Sequence, residues 1–377
     1  MEQINIYSGS KIISKVFVQD GIEGLEKCLD SYQHVFAVMD ENVAMHSPYA
    51  MQIAQIMNSR HVPGKLVAVS EETKTMDTVM DICEWLLDSG ADRNALVLAI
   101  GGGITTDIVG FAASIYKRGV RFAYMPTTLL AQVDAGIGGK TGVNLDRYKN
   151  ILGVIRQPEF VYLCPQVLSS LPHKEFIAGA AELLKTFIIE DKGYYDRTVA
   201  VLNDMQKGYA ILPDESSDDY WGDCIQAYSQ ELTELIAAAA RVKAGIVSRD
   251  QFEKGERRKL NLGHTFAHAI ETLAQRSGYE ISHGEAVAMG LVSAARLSDR
   301  VFHGDMDSPT ALEAEVRANL VECGLNPDCP FNLEDMAEIM LKDKKAETGK
   351  IHFVLMREIG DVTVYDLTVE EVCRLMA

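Results

Sequence analysis

The run Ala95–Ile100 is wholly apolar and stops abruptly at Gly101-Gly102-Gly103. It is too short to cross a membrane and has no polar side to turn to water. It therefore reads as a strand buried on both faces. Val35–Met39, Leu66–Val69, Phe122–Met125 and Val161–Leu163 have the same texture. Between two of these runs, Val79, Met80, Cys83, Leu86 and Leu87 recur at helical spacing. Doubly buried strands alternating with amphipathic helices require a largely parallel sheet in an α/β domain.

Beyond about Pro172 the texture becomes helical, over Lys174–Glu190, Cys224–Ser248, Leu260–Gln275, Gly284–Val301, Pro309–Cys323, Leu333–Leu341 and Val369–Met376. Ile351–Met356 and Asp361–Tyr365 flank Glu358–Gly360 as a candidate hairpin. The expected division is an α/β domain over residues 1–172 and a mainly helical domain over 173–377. The acidic stretch Gln206–Asp223 is expected to be an exposed loop.

With 36 basic against 54 acidic residues the chain carries −18. That balance opposes nucleic acid or an acidic membrane surface as a partner, while leaving room for a local basic pocket. The 7 cysteines are scattered, without a Cys-x-x-Cys, which fits a reduced cytoplasmic setting. Met1–Asn5 lacks the basic-then-apolar pattern of a signal peptide.

Gly101-Gly102-Gly103 leads into Ile104-Thr105-Thr106-Asp107, a helix start. Such glycines either make a tight strand-to-helix turn or let the backbone approach a phosphate at the helix N-terminus. The Gly-x-Gly-x-x-Gly dinucleotide fingerprint is absent. Further on, Gly139-Lys140-Thr141 resembles a P-loop ending. Asp134 stands where that motif needs glycine, so an ATPase is rejected. What remains is a glycine-rich loop presenting Lys140, then Lys149 and Asn150.

His264 and His268 lie four apart, on one face of a helix, and His283 can return to that face after a turn at Ser277-Gly278. Thr265 follows the first histidine, which disfavours a His-Glu-x-x-His zinc protease. Glu182 and Lys185 also share a helical face, as a simple pair or as part of a site.

In order, these pieces resemble the 3-dehydroquinate synthase family of sugar phosphate cyclases. The matching stretches are Gly101–Phe111, Tyr116–Gly119, Pro126–Asn144, Lys149-Asn150, Ala181–Lys185, Lys243-Ala244, Glu253–Arg257, Asn261–Glu271, His283–Ala288 and Asp343–Lys345. The resemblance implies a Rossmann-like NAD domain followed by an all-α metal-binding domain, in a cytoplasmic homodimer. It implies a carbon–oxygen lyase of the shikimate pathway, in aromatic amino acid biosynthesis. The substrate would be an anionic sugar-phosphate acid, 3-deoxy-D-arabino-heptulosonate 7-phosphate, converted to 3-dehydroquinate and phosphate. Its cofactors would be NAD and a divalent metal, zinc or else cobalt.

Carried over by position, the resemblance gives Glu182, His264 and His283 as metal ligands. It gives His268, Glu253, Lys140, Lys185, Lys243, Asn261 and Arg257 as catalytic residues, with His268 and Glu253 in proton transfer. Arg118, Asp134, Asn150 and Lys344 would bind substrate. Asp40, Asn42, Glu71, Lys74, Gly102, Gly103, Asp107, Thr127, Thr128, Lys149 and Ser170 would contact NAD. Departures from the family pattern (Thr105-Thr106, Gly136, Tyr148, Ala267) lie beside motif residues and not on them. The rival readings are another sugar phosphate cyclase and a metal-dependent polyol dehydrogenase. A dehydrogenase accumulates reduced cofactor, and a cyclase releases phosphate.

Overall fold

The computed structural model describes residues 1–146, 148–210, 217–304, 311–343 and 350–376. The chain forms two compact units, Met1–Phe176 with Leu212–Phe252, and Ile177–Ile211 with Glu253–Ala377. Residues 217–252 cluster with the first unit. Its helix Ser229–Arg249 lies along the first strand: Ser248 Oγ accepts from Tyr7 N at 2.9 Å, and Arg241 pairs with Glu2. That helix packs beside the edge strand Glu2–Ser8.

The strands are β1 (Glu2–Ser8), β2 (Lys11–Val18), β3 (Val35–Asp40), β4 (Gly64–Val67), β5 (Leu96–Gly101), β6 (Arg121–Pro126), β7 (Lys140–Leu145), β8 (Tyr148–Ile155) and β9 (Phe160–Leu163) in the first unit. The second has β10 (Ile351–Glu358) and β11 (Asp361–Leu367). The main sheet runs β1-β2-β9-β6-β5-β3-β4, with only the β1–β2 pair antiparallel. Leu96, Leu98 and Ile100 pack on Leu25, Ile53 and Met57. The intervening Val97 and Ala99 are just as buried, on the face covered by the Gly103–Ile115 helix. Apolar residues on both sides of β5 are why the run had no alternation.

The parallel part follows a doubly wound order. From β3 the chain moves outward to β4, then returns to the other flank of β3 to build β5, β6 and β9. Connections therefore diverge between β3 and β5, the position where such sheets open a crevice at their carboxyl ends.

The second unit is helical, with the β10–β11 hairpin as its sheet among the described residues. Its helices include His264–Ser277 and His283–His303. Between them Gly278 ends the first at φ +68°, and Ser282 with Glu285 forms a reciprocal capping box that starts the second.

Four local expectations change. The glycine-rich loop after Lys140 is the β7–β8 hairpin, where Gly142 and Gly153 face each other so closely that a side chain on either would strike the opposing backbone. The helix expected over Leu260–Gln275 starts only at His264, because Gly263 takes φ +76° after a 3-10 turn. Cys224–Ser248 is two helices, Ser217–Ala227 and Ser229–Arg249. Of the expected loop Gln206–Asp223, residues 206–210 and 217–223 are helical, and 211–216 fall outside the described residues. The burial of Trp221 against the His173 and Phe176 rings (4.6 and 5.1 Å) outweighs the acidic composition there.

Candidate active site

In the first unit, Asp40 ends β3 and Gly101–Gly103 ends β5, so both stand at the divergence point. Asp40 is buried and accepts from Asn42 N at 2.9 Å. Gly102 is the N-cap of the 13-residue Gly103–Ile115 helix; a Cβ there would sit 3.1 Å from Thr128. Thr127 N donates to Gly101 O at 2.9 Å, fastening the end of β6 to the turn. The first-turn N–H groups of that helix and a side-chain-free approach are a candidate cradle for an anionic group such as a pyrophosphate. Ser170 donates to its own turn, at Val167 O.

Around this cradle lies a polar network. Lys74, 5% exposed, donates to Asp107 at 2.7 Å and to Asn150 at 2.6 Å. Burial pushes the Asp107 carboxyl above its usual value, against the pull of Lys74. Asn144 links the same region to Glu71 at 2.8 Å and receives Asn150 N at 2.9 Å. Lys149 is exposed on β8. Lys243, buried, donates to the Asp134 main-chain oxygen at 2.5 Å and to its carboxylate. Lys140 opens β7 after Gly138 (φ +106°) and Gly139 (φ +72°).

In the second unit, Glu182, His264 and His283 offer one ligand atom each, all within 4.8 Å of one another. Glu182 Oε1 lies 3.1 Å from His283 Nε2 and 3.4 Å from His264 Nε2. Glycines make this convergence possible. A Cβ on Gly284 would meet the Ala178 backbone at 2.1–2.5 Å, one turn before Glu182. A Cβ on Gly290 would meet Gly263 O at 2.3 Å, beside His264. Backbone-to-backbone contact at both crossings draws the helices bearing Glu182, His264 and His283 together.

Glu182 is wholly buried, and its second oxygen pairs with Lys185 Nζ at 2.5 Å. Burial alone would raise this carboxyl. Lys185, then His264 and His283, outweigh it and hold Glu182 well below the usual range. The His264 Nδ1–H donates to Leu262 O at 3.1 Å, so Nε2 is the nitrogen turned to the centre. Burial works against protonating His283, but Glu182 and Glu271 on either side raise it to about 10. One carboxylate and two oriented imidazoles are a donor set for zinc with positions left open.

His268 stands one turn from His264, its ring centroid 5.6 Å away, and outside the three-residue cluster. Asn261 donates to Glu253 at 2.6 Å, and Arg257 is buried. Arg118 (φ +69°), Asn150 (φ +55°) and Glu253 (φ +57°) adopt left-handed backbone without being glycine. Lys344 and its neighbour Lys345 lie outside the described residues. Glu271 lies 3.4 Å from His283 Nδ1; the sequence marks it only by its place seven residues after His264.

The family description "3-dehydroquinate synthase N-terminal" matches residues 65–178, and "3-dehydroquinate synthase C-terminal" matches 179–346. The chain is 36% identical over 342 residues to a 3-dehydroquinate synthase of Alkaliphilus metalliredigens, covering 91% of this chain and 89% of the relative. A solved structure of the 2-epi-5-epi-valiolone synthase ValA from Streptomyces hygroscopicus, with NAD+ and Zn2+ bound, superposes at TM-score 0.77 and 27% identity, covering 97% and 96% of the two chains. A 2-deoxy-scyllo-inosose synthase complexed with carbaglucose-6-phosphate, NAD+ and Co2+ superposes at 0.75 over 100% and 99%; at 23% identity it speaks for the fold alone. Two contiguous family matches, and 36% identity over nine-tenths of the chain, place this protein in the 3-dehydroquinate synthase family.

Proposed function

We propose that this protein is a 3-dehydroquinate synthase. It converts 3-deoxy-D-arabino-heptulosonate 7-phosphate to 3-dehydroquinate and phosphate, using NAD and a divalent metal, zinc or cobalt. The observation that carries the reading is the cluster of buried Glu182 with the half-buried His264 and His283, in a chain whose other unit has a phosphate cradle at its sheet divergence.

When bound, NAD supplies a reversible hydride acceptor and the metal a Lewis acid for substrate hydroxyls. The protein's own groups do the rest. Glu182, His264 and His283 hold the ion. Asp40, Asn42, Glu71, Lys74, Asp107, Lys149, Ser170, Thr127, Thr128 and the Gly102-Gly103 turn hold the dinucleotide. Lys140, Lys185, Lys243 and Arg257, with Arg118, Asp134, Asn150 and Lys344, bind a substrate that is anionic at both ends. Fixed cations are what an otherwise acidic chain needs for that task. His268 and Glu253, the latter held by Asn261, carry protons near the reacting alcohol.

No helix among the described residues is long and apolar enough to cross a membrane. The cysteines are scattered along the chain without a Cys-x-x-Cys, in keeping with a cytoplasmic enzyme, and a homodimer is the assembly we expect. The test is to incubate the protein with the heptulosonate phosphate, NAD and zinc, and to follow phosphate, product and nicotinamide absorbance together. Catalytic NAD with equal phosphate and dehydroquinate is the expected result. Reduced cofactor accumulating with consumed sugar, without phosphate, would make it a dehydrogenase.

A further inference from the structure

We propose that Glu271 is a positioning residue that sets the affinity of the metal centre by holding the ring of His283. The proposal rests on reading Glu182, His264 and His283 as ligands. His283 lies between two carboxylates, one at each ring nitrogen: Glu182 at 3.1 Å from Nε2 and Glu271 at 3.4 Å from Nδ1. Glu271 is outside the ligand cluster, yet its side chain is only 16% exposed, so it is not a freely solvated surface acid.

A histidine at the start of a helix can rotate its ring by half a turn and exchange its two nitrogens. Nothing in the Glu182 carboxylate selects between them, because either nitrogen could face it. An acceptor on the far side does select. With Glu271 receiving Nδ1–H, the lone pair of Nε2 is aimed at the centre. His264 is fixed the same way by the Leu262 carbonyl. Each imidazole ligand therefore has its own orienting acceptor, one from the backbone and one from a side chain.

The helix His264–Ser277 places Glu271 for this. His264, His268 and Glu271 sit at i, i+4 and i+7, one stripe along two turns. The stripe carries a ligand, a neighbouring imidazole and the acceptor for the next ligand.

The experiment compares Glu271→Leu, Glu271→Gln and His283→Ala with the parent. Metal-stripped protein is titrated with Co2+ by ligand-field absorbance, and with Zn2+ by chelator competition; thermal midpoints of the metal-free proteins are recorded. Glu271→Leu is expected to weaken both ions by about 10–100-fold and to alter the cobalt spectrum, with its metal-free midpoint near the parent's. Glu271→Gln keeps an acceptor oxygen and should recover most of the affinity and the parent spectrum. Parent affinity and spectrum in Glu271→Leu would overturn the proposal. So would equal losses in both variants, which would mark a charge effect and not orientation. Parent affinity in His283→Ala would overturn the ligand reading itself, and the positioning role with it.

Discussion

Gly284→Ala tests whether the metal centre is assembled by helix packing. The added Cβ would sit 2.1 Å from Ala178 O, 2.3 Å from its Cα and 2.5 Å from its carbonyl carbon. Ordinary carbon contacts begin at about 3.5 Å, so the His283–His303 helix must retreat by roughly 1 Å from the helix bearing Glu182. Ligand distances in a working site hold to about 0.2 Å, so His283 is carried out of range. The stability change is smaller than the clash suggests. Overpacking costs about 1–3 kcal/mol, and alanine returns about 1 kcal/mol of helix propensity. The net loss is about 0–2 kcal/mol. The signature is a protein that still folds and has lost at least ~100-fold in zinc affinity, about 2.7 kcal/mol. Gly278→Ala is the control: its φ is +68° and nothing lies within 4 Å of an added Cβ. It should cost about 1 kcal/mol of backbone strain and leave metal binding alone. The assay is elemental analysis after dialysis, beside calorimetric unfolding of both variants. One zinc per chain with parent affinity in Gly284→Ala would refute the packing argument.

Glu182→Gln should release the metal and, by leaving the buried Lys185 ammonium without its carboxylate, cost about 3–5 kcal/mol in urea unfolding; Glu182→Gln with Lys185→Met should regain stability but not metal. Retained stoichiometric metal in the single variant would refute the ligand role. His268→Ala should keep full metal content while turnover falls by about 10²–10⁴-fold, and metal loss would contradict a proton-transfer role. Lys74→Met, which removes the link between Asp107 and Asn150, should weaken NAD binding in a fluorescence titration with metal content unchanged; an unaltered NAD affinity would count against the cradle.

The readable parts of the sequence were those with a strong period or an unbroken apolar run. β3, β5, β6 and β9 declare themselves because both faces are covered. β7 and β8 do not: Lys140–Leu145 and Tyr148–Ile155 mix glycine, lysine and asparagine, and β8 is largely exposed. The helix Lys192–Ala210 does not declare itself, because its apolar residues are interspersed with Lys192, Asp196, Arg197, Asn203, Asp204 and Lys207. The histidine pair at 264 and 268 is legible from helical spacing. Glu182 is not, since only the fold brings it to them, and its place in the set came from family resemblance. Gly284 and Gly290 are unremarked letters inside a helix until the neighbouring backbone is seen. The left-handed backbone of Arg118 and Glu253 is invisible for the same reason, because their residue types do not call for it.

The His264–Ser277 helix has a further consequence. Its inner side, Phe266, Ala267, Ala269 and Ile270, is solid core, with Phe266 meeting Phe353 at 5.6 Å. Its other side carries His264, His268 and Glu271. Any repacking that turns this rod by a few degrees swings all three together, so hydrophobic substitutions remote from the reacting atoms become dials on the chemistry. Natural drift in such interior positions would tune this enzyme without touching a single polar group.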